Sequence, residues 1–181
     1  MRILLVHSFY RIPGGEDRLV REQVDLLSRS HEVELISEAN IDLSERPLTA
    51  ARMLYSRAKK HEVGAMIDRF APDVVHIHNM YPSLGPAAHL AAHERHVPVV
   101  MTVHNFRLRC PNGFMFTEGA VCRRCESGRY FNAVVHKCFP SRKQAGAYAT
   151  SLWVHRFVMR LEERIARFIV PSEFMRRRLL E

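Results

Sequence analysis

Every thiol of the chain lies between residues 110 and 138, as Cys110, Cys122, Cys125 and Cys138. The spacing Cys122-x-x-Cys125 lets one tight turn aim two thiolates at an ion, and Cys110 and Cys138 would complete a closed tetrahedral zinc shell. Turn residues surround them: Pro111, Asn112 and Gly113 after the first cysteine, Glu118 and Gly119 before the pair, Ser127 and Gly128 after it. Arg109, Arg123, Arg124 and Lys137 would offset the surplus charge of four thiolates. Such a shell has no open position for water, so the expected zinc holds the segment together and does not catalyse. His136 could substitute as a ligand but is not needed. Disulfides suit poorly a chain without an export signal, and a redox CxxC leaves the outer two cysteines unexplained. An iron–sulfur cluster and unbound thiols are the other readings.

A second chemical feature is "RIPGGEDRLV", where Gly14 and Gly15 stand between a strand and a helix. Glycine frees the backbone for positive φ and close approach to a ligand, and the amides ahead of a helix can face phosphate. The stretch is neither GxGxxG nor a P-loop, so a tight structural turn is the competing reading. The third feature is a set of polar strand ends, His76, His78 and Asn79 in "VVHIHN" and Thr102, His104 and Asn105 in "MTVHN". Alternation puts His76 and His78 on one strand face. Histidines there can bind a sugar or phosphate, or move a proton, and the competing reading is a satisfied buried histidine. No nucleophilic triad and no HExxH is readable from the sequence.

Positioning these residues requires strands that end beside one another. Arg2–His7 reads as a buried first strand, Glu16–Ser28 as a helix, and "HEVELIS" as a second strand. Asn40–Pro47 reads as polar loop and Leu48–Phe70 as helix. "PDVVHIHN" and "PVVMTVHN" supply two more strands, separated by an alanine-rich helical segment from Gly85 to His96, and a long helix is expected from about Arg142. Alternating strands and helices predict an α/β fold, a Rossmann-like parallel sheet with helices on both faces, plus a small zinc-binding insertion. Ligands of such sheets sit at the carboxyl ends of the strands, which singles out the loops after His7, His78 and His104.

The composition is that of a folded chain, with 47% hydrophobic and 25% charged residues, and it excludes disorder and repeat architectures. The opening apolar run is too short to span a bilayer and lacks a cleavage site, so the expected location is cytoplasmic. The formal charge is +8. Arg156, Arg160, Arg164 and Arg167 recur at helical spacing beside an apolar stripe of Trp153, Phe157, Leu161, Ile165 and Phe168, predicting an amphipathic basic helix. It reads as a core helix with a solvated arginine face; the alternative is peripheral contact with anionic lipid at the inner face of a membrane. A zinc-stabilised nucleic-acid-binding module is a weaker reading, because few basic residues near the cysteines interleave with aromatics, Phe114, Phe116, Tyr130 and Phe131 excepted. No nucleic-acid partner is expected.

The order "ILLVHSFYRIPGGEDRLVREQVDLLSRSHEVELIS", "PDVVHIHN", "PVVMTVHNFRLRCPNG", "RFIVPSEFMRRRLLE" resembles the N-terminal domain of family-4 glycosyltransferases, retaining enzymes of the GT-B architecture. The resemblance assigns residues 1–181 to that acceptor-side domain and residues 106–140 to a cysteine-bearing insertion shared by some bacterial members. It implies transfer of a sugar from a nucleotide-sugar donor to an acceptor. Gly14 and Gly15 would approach the donor diphosphate, His104 would act at the transferring sugar as the catalytic residue, and His78, Asn79 and Asn105 would bind substrate. Such enzymes usually need no metal for catalysis, which leaves zinc structural. The paired-glutamate motif of the family's donor-binding domain has no counterpart here. The expectation is therefore a half-site, inactive without a C-terminal domain supplied in cis or in trans, with a non-catalytic acceptor-binding domain as the alternative.

Overall fold

A computed structural model of the protein describes residues 1–39 and 48–180; the loop expected at Asn40–Pro47 lies outside the described residues. The chain forms two compact bodies, Met1–Thr102 with Leu161–Ile169, and Val103–Arg160 with Val170–Glu181.

The first body is built on strands β1 (Arg2–Phe9), β2 (Glu32–Ala39), β3 (Val74–Ile77) and β4 (Val99–Thr102), completed by an edge strand, Arg167–Ile169. All pair in parallel, in the order β2-β1-β3-β4-edge. β1 is central and its residues Ile3 to Ser8 are buried, as its unbroken apolar run requires of a strand covered on both faces. Helices α1 (Gly15–Leu27), α2 (Leu48–Leu54), α3 (Arg57–Phe70) and α4 (Ala87–Glu94) supply the crossovers. Leu4, Val6, Val75 and Ile77 pack with Val63, Ile67 and Ala91 of α3 and α4 in one apolar cluster. The alternate residues Leu5 and His76, paired in register, face the other side, where α1 covers His7. This is the Rossmann-like α/β arrangement, a parallel five-stranded sheet flanked by helices.

The expected helix Leu48–Phe70 is two helices. Ser56 interrupts it in an extended conformation, and its hydroxyl caps α3 by accepting from the Lys59 amide at 3.2 Å. The first strand also runs further than expected, through Ser8 and Phe9, because both pair with β2.

In the second body a two-stranded hairpin, Phe116–Thr117 with Ala120–Val121, precedes α5 (Asn132–Val135) and α6 (Arg142–Trp153), and α7 (Glu173–Leu180) follows later in the chain. In this largely irregular segment Cys125, Tyr130, Ala149 and Leu152 form one buried cluster. The predicted basic helix does not continue as one element. After Trp153 the backbone widens into a π-turn closed by the Met159 amide on the Val154 carbonyl, and Arg160 takes a positive φ of 51° that ends the helix. Arg164 therefore lies in a short 3-10 turn and Arg167 in the edge strand of the first body. Among the described residues no helix is long and apolar enough to cross a membrane.

Candidate functional site

Strand order reverses between β1 and β3, and the chain's polar strand ends meet there. The Ser8 amide donates to the Asn79 carbonyl at 2.8 Å, and Asn79 Nδ2 donates to the Ser8 carbonyl at 3.1 Å. Asn79 Oδ1 accepts from the Tyr81 amide at 3.0 Å. This side chain thus ties two loops together. The Ser8 hydroxyl is buried with no hydrogen-bond partner among the described residues, an arrangement that costs stability unless a ligand or water completes it.

Three histidines lie beside this junction. His7 Nε2 and Asp17 Oδ1 are 2.8 Å apart, with His7 fully buried and Asp17 2% exposed. His7 meets His78 edge-on at 6.2 Å between ring centroids, and His78 lies 4.4 Å from His76. His76 Nε2 in turn pairs with the Thr102 hydroxyl at 2.8 Å. A row from Asp17 to Thr102 therefore crosses the ends of β1, β3 and β4. Burial pushes the His7 pKa below its usual 6.5, partly opposed by Asp17. His7 is accordingly neutral at pH 7, and its Nε2–H is the donor to the carboxylate.

The same carboxylate shapes the glycine loop. Asp17 Oδ1 also accepts from the Tyr10 amide, and Oδ2 accepts from the Gly14 amide, both at 3.2 Å. Glu16 accepts from the Tyr10 hydroxyl at 3.0 Å. Both acidic residues of the first turn of α1 are thereby engaged with the loop, where the helix dipole also favours them. The expectation of positive φ at Gly14 and Gly15 is not met: Gly14 is extended at φ −121°, and neither is among the residues with positive φ. What they provide is room, since a Cβ at either position would have no atom within 4 Å.

His104 and Asn105 follow β4 and fall in the second body, half-buried. Asn105 Oδ1 accepts from the Arg107 amide at 3.0 Å, and so orders the turn that leads to Cys110.

All four cysteines line one cavity of about 10 Å³, together with His136. None forms a disulfide. Cys110 and Cys125 are buried, Cys122 and Cys138 half-buried. Burial, reinforced by the other three thiols, pushes Cys125 up to about 12, and burial with Cys110 and Cys122 raises Cys138, partly opposed by Thr117 and Arg124. Cys110 Sγ donates to Asn112 Oδ1 at 3.0 Å. Among the described residues no three His, Cys, Asp or Glu side chains are arranged to hold a metal ion.

Sequence reasoning missed Asp17, His7 as a functional side chain, and the orphaned Ser8 hydroxyl. Asp17 had a signal: it stands three residues after the Gly14 cap, where a carboxylate can return to the backbone of the entering loop. The family model of Glycosyltransferase Family 4 matches residues 13–181. Among solved structures, UDP-GlcNAc 2-epimerase from Methanocaldococcus jannaschii is similar at 10% identity and a TM-score of 0.49, over 99% of this chain and 42% of that one. The chain thus spans less than half of that protein's length. No curated protein matches.

Proposed function

The chain belongs to Glycosyltransferase Family 4, and from that premise we propose that it is the acceptor-side domain of an enzyme moving a sugar from a nucleotide-sugar donor to an acceptor. The observation that carries this reading is the junction of β1 and β3, where Ser8, His78, Asn79 and the glycine loop gather at the carboxyl ends of parallel strands. The open space at Gly14 and Gly15 suits a diphosphate approaching the loop and the start of α1. Asn79 acts by fixing the loop geometry, while His78 borders the acceptor. His104 acts on the transferring sugar, with Asn105 holding the turn behind it. The remaining donor contacts come from a second domain, in cis or in trans. A transfer assay with a labelled nucleotide-sugar, run on the chain with and without a family-4 donor-binding domain, tests this. Turnover is expected only with both. Robust transfer by the chain alone contradicts the half-site, and tight acceptor binding without turnover in either case makes it a non-catalytic binding domain.

Cys110, Cys122, Cys125 and Cys138 hold one structural zinc in this reading. Four thiols and no disulfide around one ion-sized cavity are the donor set zinc takes. Elemental analysis with a thiol count under denaturing conditions is expected to give about one zinc and four reactive thiols per chain. Fewer than four thiols without metal would mean disulfides instead.

A further inference from the structure

The second body carries nearly all of the chain's excess charge. It holds thirteen Lys and Arg against four Asp and Glu, a formal +9, whereas the first body has fourteen against fifteen, a formal −1. Within residues 103–160 only Glu118 and Glu126 are acidic, and each is paired, with Arg124 at 3.0 Å and with Arg123 at 2.5 Å. On this basic body lies a cluster of large apolar side chains left in solvent. Phe131 and Val135 of the α5 segment are 60% and 61% exposed, and Trp153, Phe157 and Val158 at the end of α6 are 49%, 45% and 63% exposed. Trp153 and Phe157 lie 5.8 Å apart between ring centroids. An open groove of about 320 Å³ runs between the two segments, floored by Ala149 and Thr150 and flanked by Phe131, Val134 and Trp153.

Cations border this apolar face. Arg156 Nη1 donates to the Tyr130 hydroxyl at 3.1 Å, and its guanidinium stands 5.5 Å from the Phe157 ring centroid. Arg129 and Lys137, both exposed, flank α5 in sequence. Aromatic and aliphatic side chains rimmed by arginine and lysine match the boundary of an anionic bilayer, where rings enter the headgroup layer and cations meet phosphates. Nucleic acid fits less well, since binding it would leave the aliphatic Val135 and Val158 without a counterpart.

We infer that this face docks the protein on an anionic lipid bilayer, with Phe131, Val135, Trp153 and Phe157 entering the interface and Arg129 and Lys137 facing the headgroups. The inference goes beyond the transfer reading and does not depend on it. It differs from the basic helix expected in the sequence, whose Arg164 and Arg167 belong to the other body.

Trp153 is the only tryptophan in the chain, so its fluorescence reports on this face alone. The full chain is titrated with vesicles of phosphatidylcholine, with vesicles in which part of the phosphatidylcholine is replaced by phosphatidylglycerol, and with a short DNA duplex. The expected result is a blue shift and protection from acrylamide only with the anionic vesicles, weakening as salt is raised. The exposed pairs Phe131→Ser with Val135→Ser, and Arg129→Glu with Lys137→Glu, each weaken binding about tenfold or more, while circular dichroism stays that of the parent. Three results overturn the proposal: an unshifted spectrum with anionic vesicles, equal binding to neutral ones, or a salt-sensitive shift with DNA at least as large as with lipid. Retained binding in both double variants does the same.

Discussion

Asp17 is the residue on which the strand-end arrangement converges, because one buried carboxylate accepts from His7, from the Tyr10 amide and from the Gly14 amide. Replacing it with Asn keeps the shape but removes the charge and sets an amide NH2 where a carboxylate oxygen accepted an N–H, and a loss of about 1–3 kcal/mol in urea unfolding is expected. His7 adds a pH dependence whose sign follows from its depressed pKa. Between the folded value and 6.5 the unfolded chain binds the proton and the folded chain does not. The stability contributed by neutral, buried His7 is therefore present above about pH 6.5 and is lost as the pH falls through the folded value. Urea midpoints between about pH 8 and about pH 5 are expected to fall less steeply in His7→Gln than in the parent; an unchanged slope would assign the effect to other histidines. His76 of β3 and His104 after β4 should separate by what their replacement changes. His76→Ala removes the hydrogen bond to Thr102 and is expected to act on stability. His104→Ala, assayed with a donor-binding domain present, is expected to lower turnover about 10²–10⁴-fold while leaving the melting temperature near the parent's.

Elements were readable from the sequence where burial imposes a pattern. β1, β3 and β4 are mostly apolar runs, so both their existence and the position of His78 and Asn79 at the ligand-binding edge could be inferred. The edge strand Arg167–Ile169 escaped notice because all three residues are exposed and it is pinned only by backbone pairing to β4. The basic helix was expected because Trp153, Phe157, Leu161 and Ile165 keep helical spacing. In the structure the first two face solvent and Leu161 is buried, so no common core faces the stripe. Propensity could not reveal the π-turn that separates them. Contacts distant in sequence were equally hidden: nothing local shows that Gly85 is fixed by α2. Its φ is +54°, and a Cβ there would stand 2.7 Å from the Arg52 carbonyl and 2.8 Å from that of Met53. Gly85→Ala therefore meets both an unfavourable conformation and backbone atoms that cannot yield. A loss of more than about 2 kcal/mol is expected by urea unfolding, and a smaller one would show that α2 can move away.

The molecule as a whole divides two unlike solutions to stability between its bodies. The first buries a continuous apolar cluster between a parallel sheet and α3 and α4, which is sufficient for an ordinary α/β core. The second buries side chains such as Met115, Cys125, Tyr130, Ala149 and Leu152 within a largely irregular chain carrying a formal +9. Self-repulsion in a chain with so little regular structure favours a cross-link, as in other small domains in which metal binding supplies the folding free energy. If zinc is that link, chelating it should act on one body and spare the other. Hydrogen exchange on the full chain is expected to lose protection throughout α5 and α6 after chelation, with β1, β3 and β4 keeping theirs, and Cys125→Ser is expected to reproduce the pattern without chelator. Uniform loss across both bodies would mean that they unfold as a single cooperative unit. Unchanged protection in α5 and α6, in chelated protein verified to be metal-free, would mean that Tyr130 and its neighbours hold the segment by packing alone, and the structural role of zinc would then fall.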